Sequence, residues 1–488
     1  MQGLHTFDGW AKTEICLETF VPKDHFLRKV DRVLDLSFVR ELTAPRYAAS
    51  LGRPSIDPVV YFRIQLVGYL YGIRSERRLC EDVYCNLAYR WFCRLSPEDG
   101  VPDHSSFTNI RDRYGEEIFE TVFCKIISQC QAKGLVNEDC GVMTDATLIA
   151  ANASTVSMVP NEPEQVHPKK ESPPGSKDPP DIPAKPKVSN RTHHSRTDPD
   201  ATLARKDRTP LQLKYKVHQT IDAKSRVILD THVTTGGVHD SQPYLEQLKR
   251  VGQWHKIRIG EATADRGYGS AAIIRNLQEQ GIETYIPLWN KRSGNSKHMK
   301  GGFVYEKQKD RIRCPAGKFL TLVSTDDKHK RYSSSSSDCQ ACQQSATCSA
   351  ERRKGYDQRH IRRNKDQELF EEVQARMRDP TFIQRRSERM WKSEGLFAEA
   401  KQNHNLARAK FRGRSKVQIQ AYFSAIALNL KRLVAMFYYW LMAIWLRKNI
   451  SRALHSTCLS KTTAFSTRPY EYLGISAHRM KNPESSSI

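Results

Sequence analysis

Hydrophobic positions in the first part of the chain recur with the spacing of helices. Asp57 and Pro58 form an N-cap and a first-turn proline, and an apolar pattern of helical period follows them. Helices are predicted over 59–71 and 77–93, from 104 onward, and over 118–133. The last of these ends at Gly134, where glycine is a common helix stop. We therefore predict a helical N-terminal domain over residues 1–139.

The pattern changes to strands at residue 140. Apolar, strand-compatible runs cover 140–151, 213–222, 226–234, 257–264 and 282–287, with helical patterns over 241–251 and 271–280. Strands that pair early and alternate with helices later predict a mixed α/β sheet over 140–290. Ten of the 23 prolines lie between Pro160 and Pro199, which predicts an exposed loop over 156–200.

Three further segments follow this α/β core. Residues 291–365 hold 19 Lys and Arg against 7 Asp and Glu, a net charge of +12, and form a basic, Cys-containing insertion. Helical patterns return over 366–447, which we assign to the helical end of the core. Residues 448–488 form a weakly patterned C-terminal tail.

The chain is strongly basic. Its 78 Lys and Arg exceed its 54 Asp and Glu by 24 charges, which indicates a polyanionic partner, nucleic acid before an anionic membrane. The longest apolar run, Leu433 to Leu446, is shorter than the ~20 residues of a spanning helix and predicts a buried core helix. The N-terminus lacks the basic and apolar regions of a signal peptide, so we expect a cytoplasmic chain with reduced cysteines.

Arginines cluster in the predicted helical domain. They are Arg74, Arg77, Arg78, Arg90, Arg94, Arg111 and Arg113. They could face phosphate, or they could form a solvated basic surface, and the sequence does not show which helix would enter a groove of DNA.

Two carboxylates interrupt the strand patterns of the core. Asp145 lies inside an apolar run, where a carboxylate is costly to bury unless it is paired or bound to metal. Asp265 follows the run 257–264, and the carboxyl ends of strands are where sites of α/β folds usually form. Taken singly, each could also be a turn or cap residue. His239 and Asp240, after another strand, could lie near such a site or form a loop hydrogen bond.

The motifs around these aspartates resemble those of bacterial insertion-sequence transposases of the DDE class, in the branch with a large insertion before the last acid. Asp145 stands in Thr-Asp-Ala-Thr and Asp265 in Ala-Asp-Arg-Gly-Tyr, similar to the family's first and second catalytic aspartates. The segment with Glu394 and Lys401 resembles the one that carries the catalytic Glu. Segments 52–94, 102–107, 412–413 and 429–432 also resemble the family.

The resemblance implies an RNase H-like catalytic core in which Asp145, Asp265 and Glu394 hold two Mg²⁺ ions at a phosphodiester. It implies a DNA transposase that binds the terminal inverted repeats of an insertion sequence, cleaves them and joins them to target DNA. A homodimer in the DNA complex and a location in the bacterial cytoplasm, with the nucleoid, are implied in the same way.

Helix geometry adds to this expectation. Residues seven positions apart lie on one face of a helix, about 10 Å apart, so Lys401 would stand where a DNA phosphate could follow the Glu394 carboxylate. Glu399 competes as the third acid but points to a different face. Arg389, one position before the place of the family's Arg, and Arg111 are further candidates for DNA contact.

Two alternative functions stay open at this point. One is a DNA-binding protein that has lost catalysis, and the other is an RNase H-like nuclease that cuts without joining. All three acids of the motif being present argues against the first, and a strand-transfer assay separates the second from a transposase.

Four cysteines of the insertion have a metal-binding spacing. Cys314, Cys339, Cys342 and Cys348 form a C-x24-C-x2-C-x5-C set. Four thiolates would close a tetrahedral zinc site, and a metal could replace the apolar core that this segment lacks. Four reduced cysteines in a loop are the alternative.

Overall fold

The computed structural model describes residues 9–10, 14–161 without 49, 51 and 53, then 188–206, 209–288, 301–352 and 357–456. Within these ranges the strands form two six-stranded sheets and one two-stranded sheet. By packing, the chain divides into Met1–Met436 and Phe437–Ile488. The predicted tail falls in the second unit, and its residues 457–488 lie outside the described residues.

Helices occur at the beginning, in the core and at the end of the chain. They are α1 (Leu17–Phe20), α2 (Phe26–Val33), α3 (Val39–Thr43), α4 (Pro58–Leu70), α5 (Glu76–Cys85), α6 (Leu87–Cys93), α7 (His104–Ala132), α8 (Tyr244–His255), α9 (Ala271–Glu279), α10 (Ser336–Gln340), α11 (Gln367–Arg376), α12 (Pro380–Asn403) and α13 (Arg414–Ser456).

Strands lie between α7 and α11. They are β1 (Asp139–Ala150), β2 (Met158–Pro160), β3 (His193–Ser195), β4 (Thr202–Ala204), β5 (Gln212–Asp222), β6 (Ile228–Thr235), β7 (Arg258–Thr263), β8 (Glu283–Tyr285), β9 (Val304–Glu306), β10 (Arg311–Arg313), β11 (Phe319–Thr325), β12 (His329–Ser333), β13 (Glu351–Arg352) and β14 (Arg359–Asn364).

Helix α4 begins as the sequence predicted. The Asp57 carboxylate accepts the Val59 N–H at 2.9 Å, and Pro58 occupies the first turn. The predicted single helix over 77–93 is instead two helices, α5 and α6. Asn86 separates them, because its side chain accepts the N–H groups of Ala88 and Tyr89 and so caps a new helix.

The two helices predicted from 104 and over 118–133 are the two legs of α7. They meet at Gly115, whose φ of +65° breaks the helical path. Buried aromatic side chains of α4, α7 and α13 pack together in edge-to-face and tilted pairs. They include Tyr61, Phe62, Phe107, Phe119 and Phe423.

The first six-stranded sheet, which we call the core sheet, has the strand order β6-β5-β1-β7-β8, with β4 also on β5. The β4–β5, β5–β6 and β1–β5 pairs are antiparallel, and the β1–β7 and β7–β8 pairs are parallel. The predicted hairpin is the β5–β6 pair, whose turn is fixed by the Asp222 carboxylate accepting the Lys224 and Ser225 N–H groups. The mixed α/β sheet is confirmed.

Helix α13 covers the edge strand β6. The Gln418 side chain accepts the Val233 N–H at 2.6 Å and donates to the Thr231 carbonyl at 2.8 Å. Asn429 does the same for the N–H and carbonyl of Ile228, at 2.8 and 2.9 Å. Buried amides of a helix therefore satisfy the backbone of an edge strand that no further strand covers.

The apolar run Leu433 to Leu446 lies within α13. Leu433 and Val434 are buried as predicted, whereas Tyr439 and Met442 are 46% and 53% exposed. The prediction of a buried core helix therefore holds only for the start of the run. No helix in the described ranges is long and apolar enough to span a membrane.

Strands also occur in two segments for which no strand was predicted. The ends of the Pro-rich loop 156–200 pair as β2 and β3, while its residues 162–187 lie outside the described residues. The insertion carries the second six-stranded sheet, which we call the insertion sheet, with the antiparallel order β13-β14-β12-β11-β10-β9. No secondary structure was assigned to this sheet from the sequence.

Candidate active site

Asp145 and Asp265 lie at one place on the core sheet. Strands β1 and β7 are parallel neighbours in which Met143 is paired with Thr263. Each aspartate is two residues beyond its member of this pair, so the register brings the two carboxylates side by side. Residues 120 positions apart in the sequence thus meet near the carboxyl end of β7, as their motifs predicted.

The Asp145 carboxylate is buried, with 18% of the side chain exposed, and it is paired with Arg389 of α12 at 2.9 Å. It also accepts the Ala146 N–H at 2.8 Å. Burial, with smaller contributions from the negative charges of Asp265 and Asp240, raises the pKa of Asp145 to about 6, although Arg389 and the Ala146 N–H lower it. One cation therefore does not neutralise this group of acids.

Asp265 is held by the turn that follows β7. Its carboxylate accepts the Gly267 N–H at 2.6 Å and caps a short 3₁₀ turn, Arg266–Tyr268. The chain then passes against the segment after β8, where a Cβ at Gly269 would lie 2.0 Å from the Pro287 carbonyl oxygen. Only glycine fits there, so Gly269, directly after the Ala-Asp-Arg-Gly-Tyr motif, has a packing role.

Asp240 and Tyr268 complete the surroundings of the two aspartates. Asp240 is paired with Lys216 of β5 at 2.6 Å, and it lies near enough to raise the pKa of Asp145. The Tyr268 ring is fully buried against Tyr244 at 4.8 Å. Its hydroxyl has no hydrogen-bond partner among the described residues, and burial together with the three aspartates raises its pKa.

Glu394 and Lys401 lie on α12, which crosses β1, β7 and β8. Glu394 is exposed, and the structure records no contact from it to Asp145 or Asp265. Lys401 is half-buried, and its ammonium donates to the Thr147 hydroxyl at 2.7 Å and to the Leu148 carbonyl at 3.1 Å. The lysine expected to meet phosphate therefore ties α12 to the strand that carries Asp145.

Glu399, the competing acid, is engaged elsewhere. It is hydrogen-bonded to Lys431 and lies 3.7 Å from both His404 and Arg432. These contacts, the one with His404 foremost, lower the pKa of Glu399 to about 2. A carboxylate already neutralised by three cationic or polar side chains is a poor metal ligand.

The arginines expected at DNA are placed differently from one another. Arg389 lies at the candidate site, on Asp145. Arg111, in contrast, is 4% exposed, pairs with Glu76 at 2.7 Å and lies 3.9 Å above the Phe411 ring, so it belongs to the core of the helical domain and not to its surface. Arg90 is buried on backbone carbonyls, whereas Arg74 and Arg77 are exposed.

Metal ligation is not preformed. Across the described ranges, no three side chains of His, Cys, Asp or Glu stand in an arrangement that could hold a metal ion. The pairing of Arg389 with Asp145 was not predicted from the sequence. The proximity of Asp240 was one of two alternatives that its position after a strand left open.

Two family models match the chain. Residues 15–113 match a model described as a transposase domain (DUF772), and residues 313–434 match one described as a transposase DDE domain. The second match contains Glu394 and Lys401, and Asp145 and Asp265 lie between the two matches.

Solved structures offer a weaker likeness. The chain is 11% identical to a piggyBac transposase synaptic complex with hairpin DNA, over 92% of this chain and 86% of that one, with a TM-score of 0.32. For the Mos1 strand transfer complex the identity is 15%, over 49% and 60%, with a TM-score of 0.16. For a Mos1 paired-end complex with Mn it is 14%, over 55% and 70%, with a TM-score of 0.16. Only the two family matches therefore bear on what kind of protein this is.

Proposed function

We propose that this chain is a DNA transposase of the DDE class of insertion sequences and that Asp145, Asp265 and Glu394 are the acids with which it cuts and joins DNA. One observation carries the assignment. Asp145 on β1 and Asp265, just after the parallel neighbour β7, lie side by side, and burial and mutual repulsion raise the pKa of Asp145 to about 6. A carboxyl group with a perturbed pKa, beside the carboxyl end of a strand of an α/β sheet, is typical of catalytic sites.

We assign the core to the RNase H-like fold. Support comes from the sheet, in which three antiparallel strands, β6, β5 and β1, are followed by the parallel strands β7 and β8. The first aspartate lies on the central strand of the five and the second follows its parallel neighbour.

The negative charge of the clustered carboxylates suits a divalent cation. Asp145, Asp265 and Asp240 repel one another, and the structure supplies Arg389 and Lys216 as their cationic partners. Carboxylate oxygens are the ligands that Mg²⁺ prefers. We propose that Asp145, Asp265 and Glu394 hold two Mg²⁺ ions, which would activate the attacking hydroxyl and neutralise the leaving oxygen.

Arg389 and Lys401 would act beside these acids. Arg389 favours the ionised form of Asp145 and lies within reach of a phosphate bound at that carboxylate. Lys401 fixes α12 along β1 and so sets the position of Glu394, seven residues earlier on the same face. Lys206 and Lys214 lie near enough to Lys401 to lower its pKa, after burial, and form a basic surface there.

Substitution of single acids tests the assignment. Asp145→Asn, Asp265→Asn and Glu394→Gln should each lower cleavage of element-end DNA on the order of 10³-fold or more, because ligands of one metal site act as a unit. Binding of the same DNA should persist. Glu372→Gln, an exposed acid on α11, is the matched control and should cleave normally. An active Glu394→Gln variant together with an inactive Asp240→Asn variant would show that Asp240, and not Glu394, is the third acid beside Asp145 and Asp265.

The products separate a transposase from its alternatives. Supplied with precut ends and a target plasmid in Mg²⁺, the protein should form joined products, whereas a nuclease would only nick. A DNA-binding protein without catalysis would do neither. Light scattering of the complex with end DNA tests the proposed homodimer, which should contain two chains.

A further inference from the structure

The four cysteines of the insertion surround one cavity. Cys314 lies in the turn after β10, Cys339 in α10, Cys342 directly after α10, and Cys348 in the loop before β13. Together they line a cavity of about 150 Å³. Segments up to 34 residues apart in sequence thus bring four half-buried sulfur side chains to one place.

The backbone around these cysteines is folded into tight turns. The Cys314 N–H donates to the Lys318 carbonyl at 2.8 Å, and the Gly317 N–H donates to the Cys314 carbonyl at 2.9 Å. Gly317 has a φ of +79°, which glycine adopts without strain. The Cys342 N–H approaches the Cys339 carbonyl at 3.4 Å, and the Cys339 sulfur lies 3.0 Å from the Ser334 hydroxyl.

The cavity borders a very small core. Among the described residues of the insertion, the buried apolar side chains are Phe303, Ile312, Leu320, Tyr332, Ala350 and Ile361. Cys314 and Cys348 are packed against this cluster. A domain of this size rarely holds together by its apolar core alone, and natural small domains add disulfides or a structural metal.

We propose that a structural zinc ion bound by Cys314, Cys339, Cys342 and Cys348 closes the insertion. These cysteines are free of disulfides in the structure. Asp338 also lines the cavity, but it is paired with Lys318 at 3.3 Å. Four thiolates and no histidine form a closed tetrahedral zinc site, with Zn–S distances of about 2.3 Å and sulfurs about 3.8 Å apart.

Zinc binding requires the segments that carry the four cysteines to move closer together. No three of the described acidic, cysteine or histidine side chains stand at ligating positions, so the sulfurs must approach one another. The cavity has room for that movement, since a water molecule takes about 30 Å³ and the cavity is several times larger. The zinc would join the turn after β10 to the long connection between β12 and β13. In the sheet, β10 is separated from β12 by β11.

Metal content of the full-length chain tests the site directly. Protein made in zinc-supplemented medium should contain about one zinc ion per chain by mass spectrometry of the metals. The double variant Cys339→Ser/Cys342→Ser should lose it, and Cys85→Ser, an exposed cysteine of α5, should keep it. Cobalt in place of zinc should give the sulfur-to-metal charge-transfer absorption of thiolate ligands in the wild type and in Cys85→Ser only.

A second measurement uses the wild-type chain and so does not depend on a variant that folds. Alkylation of the native protein, followed by peptide mapping, should leave the four cysteines unlabelled until a chelator is added. Trypsin should then cleave within 301–364 after chelation and not before. Metal-free protein with equally protected cysteines and an equally resistant insertion would overturn the proposal, as would zinc retained by the double variant or a disulfide between any two of the four.

Discussion

The core sheet and the insertion sheet have the same number of strands and are stabilised in different ways. Helices α8 and α12 pack on the core sheet, and even its polar side chains are buried, among them His218, Gln219 and Thr220. The insertion sheet buries one small cluster, and β11 is mostly exposed. Packing against helices stabilises the core sheet, whereas the insertion sheet buries too little apolar area to be stabilised in that way.

The two sheets also differ in how their charged side chains are arranged. In the core, buried acids and cations meet, as Asp230 does with Arg250 at 2.8 Å. In the insertion, Arg331 and Arg362 stand directly opposite each other on neighbouring strands. Like charges in that position destabilise a sheet. The core thus buries its ion pairs, whereas the insertion, with a net charge of +12, carries more positive charge than its own acids balance.

The largest expected effect concerns the packing of the core. Gly269→Ala should destabilise the chain by more than about 4 kcal/mol, since its Cβ would lie 2.0 Å from a backbone oxygen that cannot move alone. Gly317→Ala in the insertion meets open space and only the left-handed φ, which costs about 1–2 kcal/mol. Thermal unfolding of both variants measures the difference. Equal losses would contradict the contrast between a tightly packed and a loosely packed sheet.

The same contrast decides how much of the fold the sequence predicts. Strands such as β1 and β6 are buried and read as apolar runs, so their bounds were predicted within a few residues. Strands such as β10 and β14 are mostly arginine with one buried isoleucine each, and their alternation is hidden by charge. A short charged strand in a small sheet leaves too little apolar signal to be recognised.

The candidate site was predictable only in part for a related reason. Asp145 and Asp265 stand out locally, because a carboxylate within or just after an apolar strand is unusual. The pairing of Arg389 with Asp145 depends on how α12 crosses the sheet, 244 residues later. The burial of Arg111 depends on Phe411 and Glu76, far away in sequence. Contacts of this kind are decided by tertiary packing, and no local pattern contains them.

Removing a buried leucine from each sheet sharpens the comparison. Leu229→Ala in β6 should lower the free energy of unfolding of the whole core by about 2–5 kcal/mol. Leu320→Ala in β11 should cost a similar amount but open only the insertion, because Leu320 packs in a cluster made of insertion residues alone. Hydrogen exchange by region distinguishes the two, with Thr321→Ala, exposed on β11, as the control. Exchange that rises throughout the core in Leu320→Ala would show one cooperative unit instead.

The paired charges of the core predict a pH dependence. Contacts to His404 and Lys431 lower the pKa of Glu399 from 4.5 to about 2, so the stability they supply is present above pH 4.5 and lost as the pH falls toward 2. At pH 7, Glu399→Gln should therefore cost about 1–3 kcal/mol, and its deficit relative to wild type should shrink below pH 4.5. Denaturant unfolding at several pH values measures this. Glu372→Gln should follow the wild type throughout, and a deficit in Glu399→Gln that does not change with pH would refute the ion-pair account.

The smallest effect concerns the unpaired charge of the insertion. If the face with Arg331 and Arg362 meets DNA phosphates, Arg362→Gln should reduce the slope of log affinity against log salt by about 0.9, because one counterion fewer is released. The same change should stabilise the insertion by about 0.2–1 kcal/mol, since it removes a repulsion between opposite strands. Weaker binding together with a more stable insertion is an outcome that general misfolding cannot produce. Arg362→Lys keeps the charge and should keep the slope. If Arg362→Gln left the slope of log affinity against log salt unchanged, this face would not contact the DNA backbone. The positive charge of the insertion would then bind a different anion.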